Sequence, residues 1–204
     1  MHPVETFIRS RVDMPQPEID WILSRMKTRT LEPGEPFCRM GDERHEIGLL
    51  LGGLLRVFAV ADDGGEATLD FVFPVEMAAA VDAATANSPS QVTFEALEKS
   101  SLAIWPFSIR NEAAARHPAW TELMRIEMEG LFRRKNRYAR SLQTKDAASR
   151  YREWIAEHPE ASARIPQYFV ASYLGIAPQS LSRIRAQLRH GEPSLLKHGK
   201  PRNH

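Results

Sequence analysis

Cysteine is almost missing from this chain of 204 residues, in which Cys38 is the single example. One cysteine cannot form a disulfide within a chain, and it cannot supply the thiolates of a structural zinc or iron–sulfur site. The sequence therefore predicts no disulfide framework, no bound metal and no cofactor, with Cys38 as a packing residue. Such a protein suits a reducing cytoplasm.

Long apolar runs are also missing. The longest, such as residues 47–51 and 77–81, are far shorter than the about 20 residues that cross a bilayer. The N-terminal segment MHPVETFIRSRVD is charged and lacks the apolar centre of a signal peptide. We therefore expect a cytoplasmic protein that does not enter a membrane.

Histidine is scarce in the segment that looks rich in β-strands, residues 31–107, where His45 is the only one. A metal enzyme built on a cupin-type β-barrel needs two or three histidines and a carboxylate, so the sequence disfavours this class. The serine-hydrolase motif G-x-S-x-G does not occur either. We expect no catalytic residues and no enzymatic activity.

The net charge is only +1, but the charges are unevenly distributed. From Arg164 to His204, seven Lys and Arg accompany a single acid, Glu192, so this segment carries about +6. Residues 1–163 must then carry about −5. An acidic body with a basic contact module explains the asymmetry, and so does a solvated basic tail.

Short apolar segments separated by turn signals occupy much of the first half of the chain. LEPGE (31–35) and ADDGGE (61–66) are typical of tight turns. This spacing predicts a small antiparallel barrel or sandwich, with a short helix and a loop in the small-residue segment 74–90. The predicted strands are residues 47–53, 54–60, 67–73, 91–98 and 101–107.

Helical periodicity marks residues 17–27 and a long segment from Pro118 to about Leu142. Another helix is expected to start at Thr144 as its N-cap and to end at Pro159. The long helix has the a/d spacing of a coiled coil, so it either lies on the barrel or pairs with its twin in a dimer. The residues at these a/d positions form a seam that consists of Met124, Met128, Leu131, Lys135, Tyr138 and Leu142. The lysine on this seam favours the dimer.

The C-terminal region contains IPQYFVASYLGIAPQSLSRIRAQL, residues 165–188. Gly175 can adopt the positive φ that ends one helix, and Pro178 suits the first turn of the next. Two short helices joined by a three-residue turn make a helix-turn-helix. The residues expected to face its core are Val170, Ala171, Leu174, Leu181, Ile184 and Leu188.

The second of these helices carries side chains suited to DNA. Its N-terminal part would meet base edges in the major groove, which makes Gln179, Ser180 and Arg183 the predicted base readers. Glutamine suits adenine and arginine suits guanine. Arg185 and Arg189 are better placed for phosphates. The alternative is a plain helical hairpin with surface arginines.

From about Pro17 to Leu188 the chain resembles the Crp/Fnr family of bacterial transcription regulators. GIAPQSLSRIR (175–185) is similar to the family's recognition helix with its preceding turn, and it is the most specific piece. The other similar pieces are LEPGE (31–35), MGD (40–42), GLLLGGLLRVF (48–58) and FEALEKSSL (94–102).

The resemblance implies an α+β fold. It consists of an N-terminal antiparallel β-roll or jelly roll of the cyclic-nucleotide-binding type, a long dimerisation helix and a C-terminal, winged-helix-like helix-turn-helix domain. The implied boundaries are 1–116 for the sensor, 117–143 for the helix and 144–204 for the DNA-binding domain. The family's β-hairpin wing would follow Leu188, where GEPSLLKHGKPRNH is a poor hairpin, so we expect a short or missing wing.

The chain departs from the family at the effector site. Members that bind cyclic AMP carry a Gly-Glu pair and an Arg followed by Ser or Thr, where this chain has Val75-Glu76 and Ser90-Gln91. Without the guanidinium the phosphate loses its bidentate partner, so we expect no tight binding of cyclic nucleotides. The cysteine cluster of the oxygen-sensing branch is absent as well. The candidate pocket for a different effector comprises Glu76, Ser90, Gln91, Lys135 and Asn136.

The predicted function is that of a homodimeric, sequence-specific DNA-binding transcription regulator with a palindromic site. The expected partners are double-stranded DNA, a second copy of the chain, an unidentified effector other than cyclic AMP, and RNA polymerase. The alternative is a non-enzymatic binding or scaffold protein whose β-roll holds a ligand and whose helix-turn-helix has lost DNA binding.

Overall fold

The computed structural model describes residues 1–43, 45–62 and 64–189, apart from the side chains of Ser162 and Arg189. The chain divides into two compact units, Met1–Arg137 and Tyr138–His204. The domain boundaries predicted at residues 116 and 143 stay predictions. The expected short or missing wing lies outside the described residues.

The described part of the first unit contains two antiparallel sheets of four strands each. One sheet consists of β1 (Lys27–Leu31), β3 (Glu46–Gly52), β6 (Met77–Ala78) and β8 (Ser100–Pro106), in the order β1-β8-β3-β6. The other consists of β2 (Pro36–Cys38), β4 (Leu55–Val60), β5 (Glu66–Val72) and β7 (Thr93–Ala96), in the order β2-β7-β4-β5. The predicted antiparallel β-roll is confirmed.

The first sheet is buried on both faces, which explains the uninterrupted apolar run of β3. Leu49 and its strand partner Ala103 lie in a core formed with helices, whereas Leu50 and its partner Leu102 lie in the core between the sheets. A strand that is covered on both sides has no need of polar alternation. The core between the sheets includes Leu50, Leu55, Val57, Phe94, Leu102 and Ile104.

Helices cover the outer face of this first sheet. Phe7, Ile19 and Trp120 share a core with the sheet, and the Trp105 indole N–H donates to the Ile22 carbonyl at 3.0 Å. The short helix expected in segment 74–90 and the long helix from Pro118 are confirmed. The helices that begin in the described part of this unit are α1 (Pro3–Arg9), α2 (Gln16–Ser24), α3 (Val81–Ala86), α4 (Ile109–Arg116) and α5 (Pro118–Thr144).

Glu18 is a buried carboxylate of α2 that joins three helices. Its oxygens accept hydrogen bonds from Nε and Nη2 of Arg116 at 3.0 and 2.9 Å, and from the Trp120 indole N–H at 2.9 Å. These bonds hold the pKa of Glu18 below its ordinary value, and the bond from Arg116 has the largest effect. Because the folded pKa is lowered, the carboxylate contributes stability at neutral pH that is lost as the pH falls through that pKa.

Replacing Glu18 with glutamine is expected to lower the free energy of unfolding at pH 7 by roughly 1–3 kcal/mol, because charge-assisted hydrogen bonds are lost. The difference from the wild type should shrink as the pH falls through the lowered pKa of Glu18, because the wild-type carboxyl then also becomes protonated. Urea unfolding at pH 7 and at an acid pH below that lowered pKa measures both, with the exposed Glu43→Gln as control. An equal loss at the two pH values would contradict the role of the charge.

A tight turn connects β5 to β6, with Pro74 and Val75 at its centre. The Glu76 N–H donates to the Phe73 carbonyl at 3.1 Å, and Val75 has a φ of +71°. A turn of this type favours glycine at its third residue, because β-branched side chains rarely adopt a positive φ. The strained residue is held in place partly because its N–H donates to the Leu50 carbonyl at 2.7 Å.

Glycine at position 75 should raise the free energy of unfolding by about 1 kcal/mol, because it removes the left-handed strain. The valine side chain is 49% exposed, so little packing is lost with it. Thermal or urea unfolding of Val75→Gly against the wild type measures the gain. Val75→Ala keeps a Cβ and should gain much less, and a glycine variant less stable than the wild type would refute the strain.

The second unit is helical as far as it is described. Its first helix begins after Asp146, whose carboxylate accepts the Ser149 N–H at 2.7 Å. The prediction that Thr144 caps this helix is wrong, because Thr144 ends α5 and its hydroxyl donates to the Arg140 carbonyl. The helices are α6 (Ala147–Glu157), α7 (Ala161–Arg164), α8 (Gln167–Tyr173) and α9 (Pro178–Arg189).

Candidate nucleic-acid interface and candidate effector site

The turn between α8 and α9 is closed by its own backbone. The Ile176 N–H donates to the Ala171 carbonyl, and the Gly175 N–H donates to the Ser172 carbonyl, both at 3.0 Å. Together with the φ of +67° at Gly175, these bonds form the Schellman arrangement that ends a helix. The predicted role of Gly175 is therefore confirmed.

The start of α9 follows directly from this turn. The Ala177 carbonyl accepts the N–H groups of Ser180 and Leu181 at 2.9 and 3.2 Å, and Pro178 takes the first helical position, where no N–H is needed. The prediction that Leu188 faces the core is wrong, because its side chain is 37% exposed near the end of α9. The predicted core residues that are buried are Val170, Ala171, Leu174, Leu181 and Ile184.

The polar side chains of α9 lie away from this core. Gln179 and Arg183, one helical turn apart, are exposed, while Ser180 and Arg185 are half-buried. In the described part of the chain neither of the two arginines forms an ion pair, so their charges can meet an anionic partner. Arg189 is the last residue of α9, and its side chain is not described. These five DNA contacts stay predictions.

α5 presents an apolar stripe to solvent. Met128 is 45% exposed, and Phe132, one turn further along, is 68% exposed. Leu131 of the predicted seam is half-buried, and the Tyr138 ring stacks on Tyr173 with its centroid 4.7 Å away. The predicted seam therefore omitted Phe132. An i, i+4 search for apolar residues along the helix would have found it.

The polar groups of three predicted effector-pocket residues bond to nearby backbone. The Glu76 carboxylate accepts the Phe73 N–H at 3.0 Å. Ser90 is buried, and its hydroxyl donates to the Val92 carbonyl at 2.8 Å while accepting the N–H of the same residue. The Gln91 amide donates to a carbonyl two residues before it at 3.1 Å. Each bond engages part of the hydrogen-bonding capacity of its side chain within the protein.

Lys135 is the one cation among the five predicted pocket residues, and it is paired. Its Nζ donates to the Asp70 carboxylate at 2.6 Å and lies 3.4 Å from the Leu69 carbonyl oxygen. Asn136 is exposed. Across the described residues no hydrogen bond or ion pair joins any two of the five, and none of them offers an unpaired cation to a phosphate. Their assignment as a pocket stays a prediction.

Cys38 is half-buried, and burial raises the pKa of its thiol, which a hydrogen bond with Ser90 partly offsets. Such a thiol is mostly protonated at neutral pH and is a poor nucleophile. Within residues 1–43, 45–62 and 64–189, no three His, Cys, Asp or Glu side chains are placed to hold a metal ion. None of the helices described there combines the length and apolar character that crossing a membrane requires.

The sequence of residues 28–117 matches the cyclic nucleotide-binding domain family. No curated protein matches the chain. Among solved structures, FixK2 from Bradyrhizobium japonicum is similar, with a TM-score of 0.71 and 16% sequence identity over 81% of this chain and 85% of FixK2.

Two further solved structures are similar to this chain. A protein from Eubacterium rectale, described as a transcriptional regulator of the Crp/Fnr family, has a TM-score of 0.69 and 19% identity, over 88% of this chain and 86% of that one. CLP, a c-di-GMP responsive global regulator from Xanthomonas campestris, has a TM-score of 0.70 and 14% identity, over 87% of this chain and 93% of CLP. The likeness extends over most of each chain and is a likeness of fold.

Proposed function

We propose that this chain, which contains a cyclic nucleotide-binding domain and has the fold of the Crp/Fnr regulators, is a sequence-specific DNA-binding transcription regulator. The observation that carries the proposal is the pair α8 and α9. A glycine turn joins the two helices, and α9 buries one face while it exposes Gln179 and Arg183 on another. That arrangement suits a helix that enters the major groove.

The exposed side chains of α9 supply the chemistry of base recognition. Arg183 can donate two hydrogen bonds to the O6 and N7 atoms of guanine, and Gln179 can pair with the N6 and N7 atoms of adenine. Ser180 can bond to a base or a phosphate. Arg185 and Arg189 would contact phosphates, which makes the affinity depend on salt.

We further propose that the protein acts as a homodimer through α5. Met128 and Phe132 form an apolar stripe that a second copy of the same helix can cover. A two-fold dimer presents two copies of α9, so its DNA site is an inverted repeat. RNA polymerase and an effector stay predicted partners.

Cyclic AMP and cyclic GMP are expected not to bind with a dissociation constant below roughly micromolar, because the clamp for their phosphate is missing. Glu76, Ser90 and Gln91 bond to backbone, and Lys135 is held by Asp70. Calorimetric titration of the full-length protein measures this directly. Nanomolar binding of either nucleotide would contradict this expectation.

Selection of binding sites from a random DNA library tests the proposed function with the full-length protein. We expect an enriched inverted repeat whose half-site centres are about 10 base pairs, or a multiple of that, apart. Enrichment of a single half-site would contradict the dimer. If no sequence is enriched and only weak, salt-sensitive binding is found, the alternative of a scaffold protein that has lost DNA recognition is favoured.

A further inference from the structure

The end of α8 receives hydrogen bonds from two other helices. The Tyr138 hydroxyl, near the end of α5, donates to the Tyr173 carbonyl, and its ring stacks on the Tyr173 ring at an interplanar angle of 20°. Nη2 of Arg150, on α6, donates to the Leu174 carbonyl at 2.8 Å. The last carbonyls of a helix lack partners within it, so both contacts satisfy groups that would otherwise need water.

Arg150 also bonds to the turn between α5 and α6. Its Nη1 donates to the carbonyl of Lys145, one of the two residues between α5 and α6, at 2.7 Å. One planar guanidinium therefore joins the α5–α6 turn to the end of α8. Lysine, with a single nitrogen, does not reproduce this fork. The positive charge is also favourable beside the negative end of the α8 dipole.

The Nε of Arg150 is buried and has no hydrogen-bond partner in the described residues. A buried donor of this kind is unfavourable for stability, because it has given up its contact with water. The hydrogen bonds of the guanidinium therefore come from its two Nη atoms, which donate to the carbonyls of Lys145 and Leu174.

The two carbonyl groups at the end of α8 that accept hydrogen bonds from the other helices lie directly before the turn that sets the direction of α9. Tyr173 and Leu174 immediately precede Gly175, whose N–H and that of Ile176 close the turn. A shift of this turn would move the whole of α9, which begins three residues after Gly175. Base contacts depend on such placement far more than phosphate contacts do, because hydrogen bonds to base edges require defined distances and angles.

We propose that Arg150 and Tyr138 are positioning residues for base recognition: they hold the α8–α9 turn so that Arg183 and Gln179 meet the base edges in register. This inference rests on the proposed function, since it concerns how the protein reads DNA. Neither side chain touches DNA in this proposal, but both affect how well the protein distinguishes one DNA sequence from another.

The test compares Arg150→Lys and Tyr138→Phe with the wild type, using the selected DNA site and an unrelated duplex of the same length. Both substitutions keep the net charge of the folded protein, so phosphate attraction is preserved. We expect affinity for the selected site to fall roughly two- to tenfold per lost hydrogen bond, with affinity for the unrelated duplex changing less than about twofold. Arg152→Lys, an exposed neighbour on α6, is the matched control and should change neither.

Two outcomes of this comparison would overturn the proposal. One is unchanged discrimination between the two duplexes in both variants. The other is an equal loss of affinity for both duplexes together with a lower unfolding midpoint, which is the mark of a merely structural role. In addition, Arg150→Lys should have a smaller effect in an Arg183→Ala background, because the base contact that it positions is then gone.

A measurement without DNA separates this proposal from the proposed function. The backbone amides of Gly175 and Ile176 should exchange their hydrogens roughly two- to tenfold faster in Arg150→Lys and in Tyr138→Phe than in the wild type. Arg152→Lys should leave these rates unchanged. Unchanged exchange in both variants refutes the idea that Arg150 and Tyr138 hold the α8–α9 turn, even if the protein binds DNA. Faster exchange in a protein that binds no DNA supports that role for the two residues and refutes the proposed function.

Discussion

Replacing Arg183 with alanine is expected to weaken binding to the selected DNA site by about 1–3 kcal/mol, or roughly 5- to 150-fold, and to relax the preference at one base pair. Arg183 is exposed on α9, one turn from Gln179, and has no ion-pair partner among the described residues. Its removal therefore leaves the fold intact while it deletes a bidentate donor. Repeating the site selection with the variant identifies the relaxed position, and fluorescence anisotropy gives the affinity.

Arg189→Ala is the comparison that separates base reading from phosphate contact. Its sequence position predicts a phosphate contact, so binding should weaken evenly across sequences and the slope of affinity against salt should flatten by about one unit. If Arg183→Ala instead behaves like Arg189→Ala, Arg183 contacts phosphate and its assignment as a base reader is wrong. Unchanged binding in Arg183→Ala would remove the assignment altogether.

Replacing Phe132 with glutamate is expected to raise the dissociation constant of the dimer at least about 30-fold, which corresponds to the 2 kcal/mol of an interface hot spot. The side chain is 68% exposed in the single chain, so the change costs little folding stability. In a dimer formed through this stripe, two carboxylates would be placed in an apolar contact. Analytical ultracentrifugation over a range of concentrations measures the shift.

Val60→Glu provides the matched control for the dimer. Val60 is another exposed apolar residue, 44% exposed, but it lies at the end of β4 rather than on α5. The same carboxylate there should leave the dimer unchanged. A Phe132→Glu protein that associates like the wild type would place the dimer interface elsewhere on the chain. A wild type that is monomeric would remove the dimer from the proposed function.

The elements that the sequence predicted well have a local cause. β3 contains a run of three leucines between glycines, α5 begins at Pro118, and the turn before α9 needs Gly175 because of its positive φ. Each of these signals lies within a few residues of the structure that it specifies, so it can be read without knowing the fold.

The elements that escaped prediction depend on distant partners. β1 reads KTRTL and buries only Leu31, so it becomes a strand because it pairs with β8. β6 is two residues long and is held by β3. Propensity carries little information for such strands, since packing against neighbours decides whether they form.

The sequence by itself determined the β-roll, the long helix and the turn that directs α9, because turn chemistry and apolar periodicity act over a few residues. Only the tertiary structure decided that the Tyr138 hydroxyl donates to a carbonyl of α8, 35 residues away. It alone also decided that Arg150 donates to a carbonyl 24 residues away. It also decided that Lys135 bonds to Asp70, 65 residues earlier in the chain. A charged or aromatic side chain takes the partner that folding brings within about 3 Å, and no local pattern records which partner that is.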